Sequence, residues 1–116
     1  MPSCANGKLQ NDIVRGEWGW DGFIVSDCGA IGDVMTPHGY TKTHEDTVAA
    51  TLKGGCDLEC DSYYTSYLMS ALNQSKITEA DIDQAISRVF THFIALGELD
   101  VISKAIWQLL VILRAF

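Results

Sequence analysis

Two short apolar runs in this chain read as β-strands, and that number limits the possible fold more than any other feature. Gly22-Phe23-Ile24-Val25-Ser26-Asp27 is rich in aromatic and β-branched residues and turns polar at its end. Cys56-Asp57-Leu58-Glu59-Cys60 is the second, weakened as a strand by its two carboxylates. Helical patterns flank both. Residues 5–16 carry Leu9, Ile13 and Val14 on one face, with Gly16 as a stop. Thr43 and Asp46 have capping-box spacing ahead of Val48, Ala49 and Leu52, and Gly54-Gly55 closes that helix. Residues 63–74 place Tyr64, Leu68, Ala71 and Leu72 on one stripe. Residues 78–96 give the strongest pattern. Thr78 caps it, Ile82, Ala85, Ile86, Val89, Phe90, Phe93 and Ile94 step by three and four, and Gly97 ends it.

Strands separated by helices of this length predict a parallel sheet with crossover helices, an α/β layout. Two strands cannot close a barrel or form a doubly wound sheet, because both outer edges stay unpaired. The expected architecture is therefore a part of a larger α/β fold. At 116 residues the chain has room for one domain, which typically takes ~100–200.

Charge and cysteine usage narrow the function classes. Fifteen Asp and Glu against eight Lys and Arg give a formal charge of −7, which argues against a nucleic-acid partner. A neutral substrate such as a sugar is compatible with it. Cys4, Cys28, Cys56 and Cys60 lack zinc-site spacing, so no metal site is expected. Buried thiols are the expectation for them, with one disulfide as the alternative. Met1-Pro2-Ser3-Cys4-Ala5-Asn6 has neither the charged nor the apolar region of a signal peptide. Residues 101–116 are apolar but broken by Lys104, Gln108 and Arg114, short of the ~20 residues of a membrane span.

Asp27 ends the first apolar run, just before the glycine-bearing stretch 28–42, which reads as a long loop. Loops of that length tend to carry function. In parallel α/β folds the C-terminal ends of strands form the ligand-binding rim. A carboxylate there can serve as base, metal ligand, nucleophile or simply a cap at the loop start, and position alone leaves these open.

The stretch Ile13-Val14-Arg15-Gly16-Glu17-Trp18-Gly19-Trp20-Asp21-Gly22-Phe23-Ile24-Val25-Ser26-Asp27-Cys28-Gly29-Ala30 resembles the active-site signature of glycoside hydrolase family 3. That family holds β-glucosidases, β-xylosidases and related exo-acting enzymes. Ile13, Val14, Arg15, Glu17, Gly22, Phe23, Ile24, Val25, Ser26 and Asp27 match its pattern in order and spacing. Pro2-Ser3-Cys4-Ala5-Asn6, Gly55-Cys56-Asp57-Leu58-Glu59-Cys60 and Ile77-Thr78-Glu79-Ala80-Asp81-Ile82-Asp83 with Arg88 add to the likeness.

The resemblance implies the last two β/α units of a (β/α)₈ (TIM-like) barrel over residues 1–100, with 22–27 as strand seven and 56–60 as strand eight. Residues 101–116 show no likeness and read as a divergent apolar tail. It implies retaining hydrolysis of β-linked sugars, without a cofactor, with Asp27 as nucleophile and the acid/base carboxyl supplied from another domain. The missing barrel strands and that domain are the expected structural partners. Asp57 and Glu59 are read as structural. Cys28 stands where many family members have Trp, which resembles the β-xylosidase and arabinofuranosidase branch. His38 and Tyr40 on the loop, and Tyr63 after the second strand, are candidate sugar contacts. Trp18 and Trp20 are expected to pack between helix and sheet. A sugar-binding remnant, or a truncated product without catalysis, is the alternative function. Asn73-Gln74-Ser75 fits the N-glycosylation sequon.

Overall fold

The computed structural model describes residues 1–99. A single 3-10 turn at Ser3–Ala5 leads into a π-helix at Lys8–Glu17, followed by α1 (Ala30–Met35), α2 (His44–Gly54), α3 (Tyr63–Asn73) and α4 (Glu79–Ala95). The expected tail lies outside the described residues.

Neither expected strand forms a ladder among the described residues. They meet at one parallel bridge, Val25 to Leu58. The Ser26 N–H donates to the Leu58 carbonyl at 2.9 Å, and the Asp57 and Leu58 N–H groups reach the Ile24 carbonyl at 2.8 and 3.2 Å. The parallel direction agrees with a crossover layout. Strand character does not develop further because each segment has one neighbour, and Val25 and Leu58 keep their outer sides in water.

The helices follow from local signals. Thr43 accepts from the Asp46 N–H at 3.1 Å and caps α2. Gly55 stops that helix at φ 103, a left-handed conformation, where a Cβ would meet the Asn11 side-chain oxygen at 2.5 Å. Thr78 and Asp81 form the reciprocal box at the start of α4, so two N-terminal N–H groups are satisfied by side chains. α3 begins differently: its N-cap Ser62 makes no side-chain cap bond, and Asp61 and Glu59 accept the Tyr63 and Tyr64 N–H groups instead. One expectation is corrected here. Residues 28–42 are not all loop, because Ile31 and Val34 are buried and wind 30–35 into a short helix.

α2 is the centre of the core. Val48, Leu52, Ile31, Cys56, Tyr64, Ala71, Ile77 and Ala85 form one buried cluster. The Tyr64 hydroxyl satisfies itself inside it, donating to the Cys56 carbonyl at 2.9 Å and lying 3.1 Å from the Thr51 hydroxyl. Burial pushes the Cys56 thiol up to about 12, so it stays a neutral packing group. On α4 the seven-residue apolar stripe is only partly covered. Ala85 and Val89 are buried, whereas Ile86, Phe90, Phe93 and Ile94 face outward. Trp18 and Trp20 also depart from expectation, being exposed to 73% and 51% rather than packed. The Trp20 indole lies over Gly22, closely enough that any side chain there would collide with it.

Candidate active site

Asp27 sits immediately after the bridged segment, exposed, at the edge of a cavity of about 440 Å³. The cavity wall comes from Ile24, Val25 and Ser26 of the same segment, from Leu9, Gln10 and Val14 of the π-helix, and from Ser3, Cys4, Ala30 and Cys56. Residues 28–40, expected to line the concave face at Asp27, contribute only Ala30 to this wall. The π-helix supplies three of the lining residues and the segment 24–27 supplies four.

The bridge fixes the backbone up to Ser26, and a turn fixes residues 27–30. One Asp27 carboxylate oxygen accepts the Cys28 N–H at 2.9 Å, and the Asp27 carbonyl accepts the Ala30 N–H at 3.1 Å. The turn thus orients one carboxylate oxygen and leaves the other without a hydrogen-bond partner among the described residues.

Cys28 does not stand free beside Asp27. It is disulfide-bonded to Cys60, which ties the turn after the first segment to the end of the second. The expectation of four buried thiols is therefore corrected to one disulfide and two free cysteines, Cys4 and Cys56. Asp61 adds a second tie, accepting the Gly29 N–H at 3.0 Å. Both ends of the bridged pair are thus held at the level of Asp27.

The remaining candidates separate. His38 and Tyr40 lie exposed beyond α1 and do not line the cavity. Tyr63 opens α3, and its hydroxyl pairs with His44 Nδ1 at 2.9 Å. Tyr67 stacks on the His44 ring with centroids 4.1 Å apart. That arrangement occupies Tyr63 in helix-to-helix packing. Glu59 has one oxygen on the Tyr64 N–H and the other buried, and burial raises its carboxyl above the usual range. Its role is to start α3.

Asp57 has the largest structural role in the site. Its side chain is 1% exposed. One oxygen accepts Arg15 at 2.5 Å and the Ile24 N–H at 2.9 Å; the other accepts Arg88 at 2.8 Å. A single carboxylate therefore joins the π-helix, the segment leading to Asp27, and α4. Burial pulls the Arg15 guanidinium down from its ordinary value, and the nearby Asp57 carboxylate opposes that. Arg15 and Arg88 belong to the sequence likeness, but their convergence on Asp57 spans 42 and 31 positions, which no local pattern signals. A second cavity of about 340 Å³ between α2, α3 and α4 is lined mainly by Leu52, Leu68, Met69, Ile82 and Ile86. Its one carboxylate, Asp57, is already satisfied. Among the described residues no cluster of His, Cys, Asp and Glu could hold a metal ion, and no helix is long and apolar enough to cross a membrane.

Known proteins resemble this chain in both sequence and fold. Residues 1–92 match the model of the glycosyl hydrolase family 3 N terminal domain. A probable β-D-xylosidase 7 of Arabidopsis thaliana is 43% identical over 97 residues, covering 84% of this chain and 13% of the relative. Two solved structures superpose closely. An exo-β-xylosidase (XlnD), bound to a xylobiose aziridine activity-based probe, has a TM-score of 0.78 at 29% identity and covers 84% of this chain and 13% of its own. A β-glucosidase from Listeria innocua, in complex with isofagomine, has a TM-score of 0.79 at 28% identity, covering 86% and 14%. The chain thus spans about an eighth of the length of the relatives it matches.

Proposed function

The chain belongs to glycosyl hydrolase family 3, within the N-terminal domain of that family, and we propose on that basis that it carries the nucleophile of a retaining, exo-acting β-glycosidase. Asp27 is the attacking carboxylate in this reading. It forms a glycosyl–enzyme bond at the anomeric carbon as the leaving oxygen is protonated by a second carboxyl ~5–5.5 Å away, which then activates water for release. The observation that carries the reading is the placement of Asp27: exposed at a cavity mouth, one oxygen held by the Cys28 N–H and the other unpartnered among the described residues. No second carboxyl among the described residues shares that cavity wall, so the acid/base belongs to other parts of the enzyme. The parallel bridge between two segments, each followed by a helix, supports a place in the last two units of a (β/α)₈ barrel.

The substrates we favour are β-xylosides or α-arabinofuranosides, over β-glucosides. The Cys28–Cys60 disulfide fills the position beside the nucleophile with a short, rigid, apolar link. A flat indole there would offer a stacking face for a hexose; the disulfide offers none and leaves a differently shaped subsite. With residues 1–99 joined in frame to the rest of an exo-β-xylosidase of the family, kcat/KM on nitrophenyl β-xyloside is expected to exceed that on the β-glucoside. A strong glucoside preference contradicts the assignment. The second reading, a sugar-binding piece without catalysis, draws on the presence of a single suitable carboxylate at the cavity. It predicts xylose binding by the chain and no turnover in the joined enzyme.

A further inference from the structure

We propose that Asn73 is an N-glycosylation site and that the chain is processed in an oxidising secretory compartment. Asn73-Gln74-Ser75 satisfies the sequon, and the fold presents it well. Asn73 is the last residue of α3, and the chain reverses at Ser75, which has a left-handed φ of 56. All three residues are exposed. The turn satisfies its own backbone: Ser75 N–H donates to the Leu72 carbonyl at 2.9 Å and Lys76 N–H to the Ala71 carbonyl at 3.0 Å. The Gln74 amide turns back along the helix to Ser70 at 3.2 Å, away from its neighbours. Neither the Asn73 carboxamide nor the Ser75 hydroxyl has a hydrogen-bond partner among the described residues. The two groups that an acceptor sequon needs are therefore open to solvent at a turn.

An independent observation names the compartment. Cys28 and Cys60 form a disulfide, and such bonds persist where the surroundings are oxidising, as in the secretory pathway. The disulfide and the sequon point to the same location. In the transfer, the Asn73 amide nitrogen forms a bond to the anomeric carbon of an oligosaccharide carried on a lipid pyrophosphate. The carbon–oxygen bond to the pyrophosphate breaks, the nitrogen loses a proton, and the lipid pyrophosphate leaves. Position matters as well. The first turn of α3 abuts the Asp27 turn through Asp61, which accepts from both Gly29 and Tyr63. Asn73 lies at the far end of that helix, roughly 15 Å away at ~1.5 Å per residue, so a glycan there leaves the cavity mouth clear.

The test uses the protein isolated from the cells that make it. Trypsin releases residues 54–76, which hold both Asn73 and Cys60, and residues 16–42, which hold Cys28. Peptide N-glycosidase in heavy-oxygen water should leave an aspartate bearing one heavy oxygen at position 73. Without reductant the two peptides should be linked. For variants made in a eukaryotic secretory host, Asn73→Gln and Ser75→Ala should lose the mark entirely, Ser75→Thr should keep it, and all three should keep the disulfide. Recovery of residues 54–76 only in unmodified form overturns the proposal, whether or not the disulfide is present.

Discussion

The 116-residue chain by itself is expected to release no nitrophenol above background from nitrophenyl β-xyloside, β-glucoside or α-arabinofuranoside. Retaining hydrolysis needs two carboxyls in opposite roles, and the described residues place one at the cavity. General acid–base catalysis contributes typically ~10²–10⁴-fold, all of it lost without the second group. Positioning is lost with it. Of the candidate sugar contacts, His38 and Tyr40 stand away from the cavity and Tyr63 is held against His44. Oriented binding supplies ~7–11 kcal/mol of barrier reduction in favourable cases, so its absence compounds the first loss. Turnover by the isolated chain that disappears with Asp27→Ala would show that these residues suffice.

Asp57→Ala is expected to unfold the chain. Removing one member of a buried ion pair costs about 3–5 kcal/mol, because the partner's charge stays buried and unpaired. Here the substitution strands two guanidiniums, Arg15 and Arg88, and also removes the acceptor of the Ile24 N–H. Against a typical domain stability of about 5–15 kcal/mol, that loss is decisive for a small fold. Asp57→Asn keeps an acceptor for Ile24 but not the charge, and should be intermediate. Urea unfolding followed by circular dichroism orders the three proteins. An Asp57→Ala transition at the wild-type midpoint would mean that the two ion pairs contribute nothing to stability.

The parts of this fold legible in sequence are those whose causes are local. Thr43, Thr78 and Gly55 act within a turn of their own helices, and each starts or stops one where its residue type and spacing indicate. Burial is less legible, because it depends on what else is present to pack against. Phe90, Phe93 and Ile94 have helical spacing and still face outward, and Trp18 and Trp20 are large apolar side chains left in water. The two runs with strand composition reach only one bridge for the same reason. Least legible are the long-range ties. The disulfide spans 32 positions, and the Arg15 and Arg88 contacts of Asp57 leave no periodicity behind. Asp27 itself is legible by position, as the polar end of an apolar run ahead of a glycine, and the proposal that it is the nucleophile rests on the likeness of residues 13–30 to the family signature.

Covalent trapping tests the central claim most directly. In residues 1–99 joined to the rest of a family 3 exo-β-xylosidase, a fluorinated xyloside with a good leaving group should form a glycosyl ester that hydrolyses slowly. The added mass should map to the tryptic peptide of residues 16–42 and, on fragmentation, to Asp27. Asp27→Ala should carry no added mass. A label on any other carboxylate, or one that survives Asp27→Ala, would contradict the assignment of Asp27 as nucleophile.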